Sequence, residues 1–217
     1  MNQELARQKS FWNEEIGSFD SIYSHRKSRV SNFLDSIFRW DMYERFNYTF
    51  RQAEPIRGAT FLDVGCGTGR YSLELARLGA SRVVGLDIAE RMVNVCTERA
   101  SKESLHEIAS FVQTDLTDYH PGSRFDVAIG IGLFDYIKDP LPVLAKMRES
   151  VDGHAILSFP RRWTWRAPVR KARLALKGCD VYFYTAPEIE RLLKAAGFVR
   201  YELKKVGQLH CVTAYAR

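Results

Sequence analysis

Phe61-Leu62-Asp63-Val64-Gly65-Cys66-Gly67-Thr68-Gly69-Arg70 is the stretch on which the reading of the fold turns. The run 59–64 is short, apolar and stopped by glycine, as a strand buried on both faces would be. Three glycines at alternate positions permit a tight turn and let the backbone approach a ligand closely. The helix that follows offers free N–H groups at its start. A dinucleotide fingerprint would carry its third glycine one residue later. Alone, then, this loop indicates a nucleotide-type ligand and nothing narrower.

Outward from the loop, strand and helix patterns alternate. A helix is expected over 71–78, with Gly79 as its stop, then a strand at 82–87 and a helix at 89–103. Strands follow at 110–115, 125–131 and 154–159. Asp139-Pro140 opens a helix running to about Ser150. Thr185 and Glu188 form a capping box ahead of the Ile189, Leu192, Leu193, Ala196 stripe, which ends at Gly197. Two last strands, 198–206 and 209–216, are separated only by Gly207 and Gln208 and read as an antiparallel hairpin. This alternation predicts an α/β fold, a doubly wound, mostly parallel seven-stranded sheet. Its ligand belongs beyond the carboxyl ends of the strands, at the switch point.

Residues 1–56 differ in texture and read as an amino-terminal helical cap on a domain spanning 57–217. Val30, Phe33, Leu34, Ile37 and Phe38 have the spacing of an amphipathic helix. The 46% hydrophobic and 27% charged residues of the 217-residue chain exclude wholesale disorder. No run approaches the roughly 20 apolar residues of a membrane span. The start, MNQELARQKSFWNEE, has no apolar signal core, so a cytoplasmic location is expected. Cys66, Cys96, Cys179 and Cys211 lack metal-site spacing and read as buried thiols, with no metal expected.

Three aspartates sharpen the glycine signal. Asp87 closes the second strand, where a carboxylate can accept both hydroxyls of a ribose. Asp115 closes the third, where one can accept from an adenine amine, and Asp63 closes the first. The bland alternative is that each caps a helix or turn. With FLDVGCGTGR (61–70), VVGLD (83–87), QTDL (113–116) and FDVAIGIGLFDYI (125–137), the chain resembles the class I S-adenosylmethionine-dependent methyltransferases over about residues 59–217. The reversed strand of that family matches the final hairpin. The resemblance implies S-adenosylmethionine as cofactor and S-adenosylhomocysteine as product. It implies Asp63, Gly65, Cys66, Gly67 and Gly69 around the methionine moiety, Asp87, Ile88 and Met92 at the ribose, Asp115 and Leu116 at the adenine, and Ile131 at the end of the fourth strand. The texture beyond that strand is most similar to the small-molecule branch, such as quinone and porphyrin-precursor methyltransferases. An Asn-Pro-Pro-Tyr type motif is lacking there, against methylation of base or amide nitrogen.

A sulfonium is a good leaving group, so alignment for in-line displacement supplies most of the catalysis. A hydroxyl nucleophile must also lose a proton. Candidates for that step are Asp135 and Tyr136 after the fourth strand and His210 on the last. Turn capping and aromatic packing are the competing explanations. His25, His106, His120 and His154 read as surface or core fillers. Tyr23, Phe11, Trp12, Phe19, Trp40 and Tyr43 could wall a substrate pocket or simply pack the cap on the core, and Arg29 could reach a carboxylate.

The formal net charge is +6, and seven cations with no acid lie between Arg161 and Lys177, so the rest of the chain is nearly neutral. They fall in a long connection, 160–184, read as a basic lid. A helix over 167–177 would put Arg166, Arg170, Arg173 and Lys177 on one face, with Trp163 and Trp165 before it. Three readings compete. The face is solvated with apolar residues turned to the core; or Arg166, Arg170 and Trp163 select an anionic or carrier-bound small molecule; or the segment meets RNA or an anionic membrane surface. The expected activity is methyl transfer to a hydroxyl or carboxylate oxygen of a small molecule. The alternatives are an RNA methyltransferase and a non-catalytic cofactor-binding subunit.

Overall fold

The computed structural model describes residues 3–14, 32–164, 166–176 and 178–217. The side chains of residues 3–6, 14, 32–39 and 166 lie outside that description. In chain order the elements are α1 (Gln3–Glu14), α2 (Asn32–Gln52), β1 (Thr60–Val64), α3 (Arg70–Arg77), β2 (Arg82–Asp87), α4 (Glu90–Lys102) and β3 (Ala109–Gln113). There follow β4 (Phe125–Gly130), α5 (Leu141–Glu149), β5 (Val151–Pro160), α6 (Arg166–Ala175), α7 (Ala186–Ala195), β6 (Arg200–Val206) and β7 (Leu209–Tyr215).

The strands form one sheet in the order β3-β2-β1-β4-β5-β7-β6. β1 lies between β2 and β4, with Phe61 opposite both Val83 and Val127. The chain leaves β1 toward β3, then crosses back to β4, which puts the switch point at the carboxyl ends of β1 and β4. β7 inserts antiparallel between β5 and β6, with His210 opposite Phe159 and Lys205. The parallel body and the final hairpin are therefore those expected. β5 begins three residues earlier than its apolar run because Val151 continues the pairing with Phe125 across an irregularity.

Both faces of the sheet are buried, which is why its central strands read as continuous apolar runs. Leu62, Leu157 and Val212 pack with Leu144, Met147, Ile189 and Leu193 of α5 and α7. The alternating residues Phe61, Ile129, Ile156 and Cys211 pack on the other face with Tyr48, Tyr71 and Leu75 of α2 and α3. The capping box of α7 forms, Glu188 accepting from the N–H and hydroxyl of Thr185 at 2.7 and 2.8 Å.

Helix α1 crosses the open end of the sheet. At its carboxyl end Asn13 accepts two hydrogen bonds from Arg91 at the start of α4, one on its side-chain oxygen and one on its carbonyl. At its middle Gln8 donates to the carbonyl of Tyr136 at 2.7 Å, and Arg7 pairs with Asp180 of the 160–184 connection at 2.6 Å. Among the described residues, no helix is long and apolar enough to cross a membrane.

Candidate active site

Gly65, Gly67 and Gly69 all adopt positive φ, at +73°, +55° and +80°. Side chains are strained there, and space is short as well. A Cβ at Gly65 would lie 2.9 Å from Leu133 Cδ1 in the loop after β4, and one at Gly69 would lie 3.0 Å from Cys96 Sγ of α4. The loop is pinned by the carbonyl of Leu86, which accepts from the N–H groups of Gly65 and Cys66. Cys96 donates to the carbonyl of Gly67 at 3.0 Å, and all four cysteines are buried and free.

The strand-end aspartates have separate duties. Asp87 accepts from Gly67 N–H and Ala89 N–H, each at 2.9 Å, and stays partly open at the mouth. Burial pushes its carboxyl up to about 6, against the pull of those backbone donors. Asp63 is 2% exposed and sealed beneath α3, where the hydroxyl of Ser72 donates to it at 2.5 Å. Burial, helped by the charge of Asp87, lifts it to about 7. Asp115 folds back on its own turn, accepting from the N–H and hydroxyl of Thr117 at 2.8 and 2.6 Å. Met92 and Leu116 are fully buried behind this rim, Ile131 is half-buried at the end of β4, and the carbonyl of Ile88 accepts from Gln113.

The loop after β4 gathers the second group. Asp135 is 4% exposed, and Arg170 of α6 reaches its Oδ2 at 2.5 Å. The same guanidinium donates to the hydroxyl of Tyr136 at 3.2 Å. Asp135 Oδ1 is buried and has no hydrogen-bond partner among the described residues. Burial pushes the Tyr136 hydroxyl up to about 12, so it keeps its proton at neutral pH. The Tyr136 ring meets Trp12 of α1 edge-on, centroids 4.8 Å apart. Burial works against the charge on Arg170, but Asp135 and Tyr136 outweigh it and hold its pKa above the ordinary arginine value.

Several supports of this loop carry no signal in the sequence. The hydroxyl of Tyr184 donates to the carbonyls of Phe134 and Ile137, Tyr182 N–H donates to the carbonyl of Asp135, and Ser158 Oγ accepts from Gly132 N–H. Each joins segments distant in the chain, and hydroxyls at those positions are unremarkable until the chain is folded.

His210 lies on β7 between β5 and β6, opposite Phe159 and Lys205. Burial, with the nearby charges of Arg161 and Lys205, lowers it to about 4, and its Nδ1 is unpartnered. The helix expected in this connection forms as Arg166–Ala175. Arg170 turns inward to Asp135, while Val169 and Leu176 stand 64% and 90% exposed. Trp163, 81% exposed, is in solvent, and Trp40 and Tyr43 are exposed rather than packed. Tyr23, Arg29, His25, Phe19, Trp165 and Lys177, and the side chain of Arg166, fall outside the described residues.

Residues 61–152 match the family model described as a methyltransferase domain. A ubiquinone biosynthesis O-methyltransferase of Dinoroseobacter shibae is 30% identical over 199 residues, 86% of this chain and 76% of that protein. That of Azorhizobium caulinodans is 26% identical over 206 residues, 88% and 77% of the two chains. Among solved structures, the magnesium protoporphyrin IX methyltransferase of Synechocystis PCC 6803, crystallised with bound SAH, superposes with a TM-score of 0.77. It covers 98% of this chain and 99% of its own at 22% identity, a likeness of fold.

Proposed function

The chain belongs to the class I S-adenosylmethionine-dependent methyltransferases, and on that premise we propose that it methylates a hydroxyl oxygen of a small molecule by in-line displacement. The observation that carries the reading is a juxtaposition. The glycine loop with Asp87 lies against the loop that bears Asp135 and Tyr136, Leu133 touching the position a Gly65 side chain would occupy.

The residues fit the cofactor. Three left-handed glycines make room for it, and Asp87 has lone pairs left after its two backbone bonds to accept ribose hydroxyls. Asp115 and Leu116 would border the adenine, Ile88 and Met92 would support the ribose, and Cys66 and Ile131 would flank the methionine end. Asp63 acts from behind, bracing α3 through Ser72 and adding negative charge beneath the loop. When bound, S-adenosylmethionine supplies an electrophilic methyl carbon on a sulfonium.

With the cofactor bound, Asp135 would take the acceptor's proton while the methyl's C–S bond breaks and its C–O bond forms, because Asp135 Oδ1 is a buried acceptor atom without a partner among the described residues. Tyr136 keeps its own proton and orients the acceptor by donating a hydrogen bond. His210, lowered to about 4, is a weak base and is left out of the step. Arg170 is already bound to Asp135, which favours a hydroxyl over a carboxylate acceptor. Tyr23, Arg29 and Arg166 remain proposed for the acceptor side, and Trp163, which stands in solvent, is left out. Titrating the purified protein with S-adenosylhomocysteine by calorimetry, with NADH as control, tests the reading. Micromolar binding of the first and none of the second is expected, and binding of NADH alone would overturn it.

A further inference from the structure

A groove of about 880 Å³ lies on the outer side of the lid, between α6, α7 and the loop that leads into α5. Its volume falls in the range of small-molecule sites, roughly 300–1,000 Å³. Pro140, Val181, Tyr184 and Leu192 give it an apolar floor. Lys138, Lys171, Arg162 and Arg191 stand around it against one acid, Glu188. That acid is already satisfied, since Arg162 pairs with it at 2.8 Å and Thr185 donates to it twice. Lys138, Lys171 and Arg191 make no ion pair among the described residues, so three positive charges border an apolar trough whose one lining acid, Glu188, is already paired.

We infer that this groove binds an amphipathic anion, a single molecule with an apolar body and a phosphate or carboxylate head. The apolar floor rejects a small inorganic anion as sole occupant, because such an ion would leave it exposed to water. The surplus of cations rejects a neutral hydrocarbon, because its entry would desolvate them without compensation. Only a ligand carrying both parts satisfies floor and rim together. None of the residues assigned to the cofactor or to proton transfer lines the groove, so the inference does not rest on that assignment. Its roof is nevertheless α6, the helix that delivers Arg170 to Asp135, so a ligand seated there bears on the lid.

The test is a fluorescence or calorimetric titration of the full-length protein with dodecyl phosphate, kept below its micellar concentration. Saturable one-to-one binding is expected, with inorganic phosphate and dodecanol each weaker by about tenfold or more. The double variant Lys138→Glu, Lys171→Glu should lose about tenfold in affinity, the effect of ~1.4 kcal/mol. It should still bind S-adenosylhomocysteine like the parent, which shows that it folds, and Lys138→Gln, Lys171→Gln should fall in between. Absence of saturation, or equal affinity in the charge-reversed variant, would overturn the inference. So would binding to phosphatidylglycerol vesicles without binding of the monomeric amphiphile, which would make the face a membrane contact.

Discussion

Replacement of Asp87 separates a cofactor residue from a mere loop anchor. Its carboxylate already accepts two backbone N–H groups, from Gly67 and Ala89, each at 2.9 Å. Two ribose hydroxyls would add two further charge-assisted bonds. Taken at the low end of about 1.5 kcal/mol each, because the mouth is open to water in the free protein, they amount to ~3 kcal/mol, roughly a 150-fold loss of affinity for Asp87→Ala. The same change strips the partners from two N–H groups of the loop, so the free protein should also lose ~1–3 kcal/mol of stability. Asp87→Asn keeps the shape and one oxygen but turns an N–H₂ toward one of the backbone donors, and should lose nearly as much. Calorimetry with S-adenosylhomocysteine reads the loss, and adenosine alone locates it, since the ribose belongs to that half. Unchanged affinity would refute the assignment. A loss for S-adenosylhomocysteine without one for adenosine would show that Asp87 only shapes the loop.

Asp63, lifted to about 7 from its ordinary range, should make the fold less stable as pH rises. A raised carboxyl adds stability that is full below about pH 4 and is lost by about pH 7. Asp63→Asn mimics the protonated acid, so its gain in Tm should grow from pH 4 to 7 and then level off; a flat difference would contradict the shift. Arg170→Gln should cost ~1–3 kcal/mol in chemical denaturation. That is less than a fully buried pair would cost, because the Arg170 side chain is 33% exposed. The companion Asp135→Asn should restore part of the loss, and additive losses would mean that the pair is not coupled. Gly65→Ala, strained at φ +73° and meeting Leu133 at 2.9 Å, should abolish S-adenosylhomocysteine binding, and retention of more than about a tenth of the affinity would be inconsistent with that packing.

The sheet was legible because burial on both faces leaves a direct mark. Strands β1, β2 and β4 are apolar runs broken by glycine or aspartate, and nothing but a parallel interior explains several in succession. The glycine loop was legible for a related reason, since a left-handed backbone leaves little choice of residue at three positions. The lid was not. Periodicity along α6 counted charges on a face without showing what lies opposite, and the partner of Arg170 is in a loop on the far side of β5. Of the three competing readings, the solvated face would leave the arginines in water and turn the apolar residues to the core. The buried carboxylate of Asp135 reverses that at Arg170, because a buried charge without a partner is costlier than an exposed valine.

Four aspartates show where local pattern stops being informative. Asp63, Asp87, Asp115 and Asp135 all follow or close a strand on the same side of the sheet, and as letters they are equivalent. In the fold each is defined by the first donor it meets. Asp63 meets Ser72 in a sealed seam and is left near neutrality, a poor ligand for a hydroxyl but a usable negative charge under the loop. Asp115 meets Thr117 two residues on and spends one oxygen on its own turn. Asp87 meets two rigid backbone amides, which fix its direction while leaving it partly open to the mouth. Asp135 meets an arginine from a helix beyond the next strand, which satisfies one oxygen and leaves the other buried and without a donor. Strand-end position therefore marks where acids collect, and the identity of the neighbouring donor decides which of them is available for chemistry. Of the four, Asp63 is the one sealed from the mouth; Asp115 keeps its second oxygen, and Asp87 and Asp135 belong to the two loops that meet at the switch point.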